Sequence, residues 1–80
     1  MRIEKQFGKN VVLGHIFPPD EIKSGSNWQC SNGSIVTVEC IDYTKAGDAW
    51  VKYYWLEQGH KRSNEKISFV FQCRYNLIVD

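Results

Sequence analysis

Eighty residues, 42% of them apolar and 14% aromatic, suffice for one small folded domain and leave no room for a multi-part enzyme with its own cofactor domain. Ten Lys and Arg against nine Asp and Glu give a formal charge of +1, which indicates neither a strongly basic nucleic-acid binder nor an acidic mimic of nucleic acid. A chain this short buries only about two thirds of the surface its unfolded form exposes, so its stability must come from aromatic packing, a disulfide or a metal.

The cysteines do not favour the last two. Cys30, Cys40 and Cys73 are odd in number, and no pair has the close spacing of a zinc knuckle. Only His15 and His60 are available to complete a site. The start, Met1-Arg2-Ile3-Glu4-Lys5, lacks the apolar stretch of a signal peptide, and no segment approaches the length of a membrane span. The expectation is a cytoplasmic protein with reduced cysteines, no cofactor and no metal; a Cys30–Cys40 disulfide is the alternative.

In chain order, the apolar run Val11, Val12, Leu13 and Ile16 predicts a strand, with a kink or bulge at Gly14. Pro18 and Pro19 stop it. Pro19, followed by Asp20 and Glu21, predicts one turn of helix near residues 19–23, broken by Ser24-Gly25-Ser26-Asn27. Nine of the eleven aromatic residues follow that break. The expected single domain therefore divides into an amino-terminal segment, 1–26, packing on a barrel core, 27–80.

From Trp28 the apolar period changes to two. Trp28 to Cys30 and Ile35 to Ile41, joined through Asn32-Gly33, predict a hairpin, because this dipeptide accepts positive φ cheaply. Val36, Val38 and Cys40 are expected on one face, with Ile35, Thr37, Glu39 and Ile41 on the other. A loop containing Gly47 leads to a third strand, Ala49 to Leu56, with aromatic residues on both faces. Glu57 to Lys66 predicts a long exposed loop. Ile67 to Cys73 predicts a fourth strand, with Phe69, Phe71 and Cys73 turned inward, and Tyr75 to Val79 a last short one. The expected fold is mostly β, a small antiparallel SH3-like barrel of four to five strands; a simple meander with an appended helical turn comes second. An OB-fold is disfavoured because Glu57 to Lys66 has no apolar helical face.

The succession Pro18-Pro19-Asp20-Glu21-Ile22-Lys23, Trp28, Gly33, Val36 to Val38, Val51 to Tyr53, Phe69 and Tyr75 resembles small single-domain proteins of phages and prophages that have an SH3-like core and no assigned function. The resemblance covers residues 18 to 79. It implies a fold and a genomic setting, carries over no catalytic residue, and points to a host protein as partner.

For catalysis, the candidates Cys30, Cys40, Cys73, His15 and His60 form no diagnostic motif, and Cys40 and Cys73 read as small buried hydrophobes. A non-enzymatic binding protein is expected. Trp50, Lys52 and Tyr54 share one strand face, with His60, Lys61, Arg62 and Lys66 following in sequence. These seven residues are the candidate partner-binding site, because exposed aromatics anchor interfaces. The expected activity is that of a phage-type accessory factor that binds and blocks a host protein such as a defence enzyme. The alternative is a weak nucleic-acid binder stacking bases on the same rings. Two further expectations concern the barrel itself: an exposed edge strand supports a homodimer, and the amino-terminal segment is an alternative cover for Trp50 and Tyr54.

Overall fold

The computed structural model describes residues 2–4 and 10–79, with side chains from residue 11 onward. Phe7 and Lys9 lie outside the described residues. Strands β1 (Arg2–Glu4) and β2 (Asn10–Leu13) pair with each other. Strand β2 ends where Gly14 takes a φ of 72°. A single 3-10 turn follows over Pro19–Glu21, where the sequence places its helical turn. The meander then runs through β3 (Asn27–Cys30), β4 (Ile35–Tyr43), β5 (Ala49–Glu57) and β6 (His60–Ile67). A short helix, α1 (Ser68–Arg74), leads into β7 (Tyr75–Val79). Among the described residues no helix is long and apolar enough to cross a membrane.

The strands form one antiparallel sheet in the order β1-β2-β7-β3-β4-β5-β6, curled into a mostly-β half-barrel. Strand β7 inserts between β2 and β3, and so joins the amino-terminal strands to the meander. The expected four to five strands become seven among the described residues. Strands β1 and β2 extend the sheet at the edge remote from β5, so they add to it in the plane rather than lying over the Trp50 and Tyr54 side.

The core lies inside the curl. Trp28, Val36, Val38, Val51 and Tyr53 line the inner face, where Phe71 of α1 and Ile22 meet them. Aromatic rings tile this interior: Phe71 lies 5.2 Å from Trp28, 5.1 Å from Tyr53 and 5.0 Å from Tyr75. Such stacked, tilted and edge-on pairs add about 0.5–1.5 kcal/mol each beyond area burial. Trp28 keeps its indole N–H satisfied by donating to the Ser26 hydroxyl at 3.0 Å.

The structure corrects three expectations. Glu57 to Lys66 is no loop: Gln58 and Gly59, with φ of 51° and 80°, make a two-residue turn, and His60 to Ile67 pairs with β5 along its whole length. A run of polar residues still forms a strand when backbone pairing on one side suffices and neither face is buried.

Ile67 to Cys73 is not a strand beyond its first residue. Ser68, Phe71 and Gln72 are its buried positions, the i, i+3, i+4 spacing of a helix. Phe71 is core as expected, but Phe69 is 62% exposed and Cys73 is exposed too. Gln72 explains why the helix wins. Its side-chain amide accepts from the Phe17 backbone N–H at 2.7 Å and donates to the Phe17 carbonyl at 2.9 Å, tying α1 to the segment after β2.

The third correction is the β4 register. An irregularity between Val38 and Cys40 inserts Glu39 as a bulge, so Cys40 faces outward opposite Lys52 while Ile41 turns in opposite Val51. Cys40 is therefore no inward hydrophobe, and Ile41 packs against the core. All three cysteines are free thiols.

Candidate interaction surface

Strand alternation sorts the candidate residues. Val51 and Tyr53 are buried inside, so Trp50, Lys52, Tyr54 and Leu56 project from the outer face of β5. The first three are partly buried and Leu56 is 71% exposed. Across β6 the partners of this row are Ile67, Glu65, Ser63 and Lys61. Lys61 thus joins Trp50, Lys52 and Tyr54 on one surface. Arg62 and Lys66 stand opposite Trp55 and Val51 and share the other face of the strand, while His60 closes the hairpin opposite Glu57.

The cations on this surface are compensated. Lys52 Nζ lies 2.8 Å from Asp42 Oδ2, and the hydrogen bond and charge of Asp42 raise the lysine above its usual range. Lys61 Nζ sits 3.7 Å from Glu39 Oε2 and 4.6 Å above the centre of the Tyr54 ring. Arg62, on the other face, lies 3.4 Å from Glu57 Oε2. These exposed pairs contribute little to stability, but they reduce what each cation offers to a phosphate.

The apolar character continues past Ile67. Ile67, the cross-strand neighbour of Trp50, lines a shallow groove of about 490 Å³ together with Phe69, Ile16, Pro18 and Ala49. Helix α1 is amphipathic in the inverse sense: Ser68 and Gln72 point inward with Phe71, while Phe69, Val70 and Cys73 point out. Period two over residues 67–73 turns Phe69 inward and so hides it as a surface group, whereas Val70 faces out in either period. The helical grouping of Ser68, Phe71 and Gln72 was the available signal.

A second, larger cleft of about 740 Å³ opens at the other end of the half-barrel, between the β3–β4 turn, the end of β5 and the end of α1. Trp55, Tyr75, Arg74, Cys30 and Cys73 line it. The Cys30 thiol donates to Asn32 Oδ1. His15 lies edge-on against Phe17 at 4.4 Å, and His60 is exposed at the β5–β6 turn. Among the described residues no three His, Cys, Asp or Glu side chains come together as a metal site.

Comparison with protein-family models, curated proteins and solved structures found no match.

Proposed function

We propose that this chain is a non-enzymatic binding protein that docks a protein partner on the apolar surface running from Trp50 through Ile67 to Phe69. The observation that carries this reading is the inverted helix α1, which spends its inward positions on Ser68 and Gln72 and leaves Phe69 and Val70 in solvent. Exposed aromatic rings beside a groove are the usual anchors of protein interfaces. The pairing of Lys52 with Asp42 and of Lys61 with Glu39 favours a protein over a nucleic acid, whose binding depends on cations free to displace counterions. The resemblance to small phage and prophage proteins points to a host protein, such as a defence enzyme, as the partner that is blocked.

The test compares variants. Affinity capture from a cell extract should retain one protein on the wild type and on Lys23→Ala, and lose it on Phe69→Ser and Trp50→Ala. Phe69→Ser should keep the wild-type melting temperature, because the ring is already largely in water. Capture unaffected by Phe69→Ser would overturn the proposal. So would tight, steeply salt-dependent binding of a single-stranded oligonucleotide in an anisotropy titration, which supports the nucleic-acid alternative instead.

A further inference from the structure

The outermost strand β6 has a property independent of the apolar groove. Among the described residues it has a neighbour, β5, on one side only, since β6 ends the strand order. The two-residue turn makes Glu57 and His60 the hydrogen-bonded pair that closes the hairpin. His60, Arg62, Asn64 and Lys66 therefore direct their backbone N–H and C=O groups at β5, and Lys61, Ser63 and Glu65 direct theirs at the free edge. The Glu65 N–H agrees with this assignment, because it donates not to β5 but to Asn64 Oδ1, at 2.8 Å.

We infer that β6 pairs antiparallel with β6 of a second copy of this chain, about a two-fold axis at Ser63. Hydrogen-bonding groups face each other only when odd-numbered residues stand opposite odd-numbered ones, which restricts the axis to a few positions. With the axis at Arg62 or at Glu65, that residue opposes its own like charge. At Asn64, Arg62 opposes Lys66 twice. At Ser63, Lys61 stands opposite Glu65 of the second copy, Glu65 opposite its Lys61, Arg62 opposite its Asn64 and Lys66 opposite its His60. This register alone joins opposite charges and sets no two lysine, arginine or glutamate side chains of one sign against each other. It forms about six backbone hydrogen bonds, two for each facing pair.

Lysine on a strand edge commonly blocks such pairing. Lys61 does not, because its ammonium lies over the outer sheet face, beside Glu39 and the Tyr54 ring, which is the face on which Glu65 of the second copy stands opposite it. The pairing continues the sheet across two molecules through residues 60–66 and does not use the Phe69 ring, so substitutions can separate docking from self-association.

Sedimentation equilibrium over a range of concentrations is the experiment. Wild type should show a reversible dimer, and Ser63→Pro, which removes an edge N–H not used by β5, should be monomeric. Lys61→Glu and Glu65→Lys should each weaken the dimer about tenfold, since both cross-strand pairs turn from attraction to repulsion. An equimolar mixture of Lys61→Glu and Glu65→Lys should recover wild-type association as a heterodimer, which no defect of folding explains. A wild type that stays monomeric at millimolar concentration overturns the inference, as does a mixture no tighter than its components. Phe69→Ser should dimerise like wild type, which separates a failure here from a failure of the docking proposal.

Discussion

Phe71 and Tyr53 meet at the centre of the half-barrel, and each has a consequence that a single substitution or titration reads out. Phe71 is fully buried among Trp28, Tyr53 and Tyr75, so Phe71→Ala should cost about 3–5 kcal/mol of stability in urea unfolding. Tyr53 is 1% exposed, and burial, reinforced by Tyr75, pushes its phenol up to about 12. A raised folded-state value stabilises the fold fully below pH 10, where the phenol is neutral in both states. Between about pH 10 and 12 the unfolded chain loses this proton before the folded one does. Stability should therefore fall across that window, and an absorbance titration should show a late tyrosine step that Tyr53→Phe abolishes. Gln72 is the polar counterpart. Replacing it by Leu keeps the volume but leaves the Phe17 N–H and carbonyl without their partner, and should cost about 1–3 kcal/mol by the same unfolding assay. Phe71 was legible in the sequence as a core residue. Gln72 was not, because its partner is backbone 55 positions away, and no local pattern records a bond of that kind.

Elements differ in how much of their structure their own residues specify. The β3–β4 hairpin is announced by Asn32-Gly33, and Gly33 does take a φ of 95°. Strand β5 is announced by β-branched and aromatic residues at alternate positions. Strand β6 is not announced, because its side chains are almost all polar and it exists through pairing with β5 and a turn at Gln58-Gly59. That turn needs positive φ, so Gly59→Val should destabilise the protein by about 1–2 kcal/mol and selectively speed hydrogen exchange of the β6 amides that bond to β5. A loss of protection spread evenly over the sheet would contradict the turn's local role. Helix α1 shows the opposite difficulty. Ser68-Phe69-Val70-Phe71-Gln72-Cys73-Arg74 satisfies period two and period 3.6 at once, and a segment of seven residues is too short for periodicity to decide. The bulge at Glu39 adds a third kind of ambiguity: one extra residue reverses the facing of Cys40 and Ile41 without any change in composition.

At the scale of the whole molecule, a net charge of +1 is composed of local pairs such as Lys52 with Asp42 and Lys61 with Glu39, so near-neutrality extends down to the outer face itself. The same rows of residues that make that face neutral give β6 a self-complementary edge. Composition and alternation by themselves determined that the chain is a small, aromatic, mostly-β domain, with a helical turn at Pro19, a hairpin at Asn32-Gly33 and an interior that includes Val36, Val38 and Phe71. Those features depend on near neighbours along the chain: turn residues with permissive φ and apolar side chains at fixed spacing. Only the tertiary structure decided that β7 inserts between β2 and β3, that residues 68–74 coil into a helix held by Gln72, and that Phe69 faces water while Tyr53 does not. Each of these depends on a contact between segments far apart in sequence, where a distant backbone or ring supplies the free energy that local preference leaves undecided.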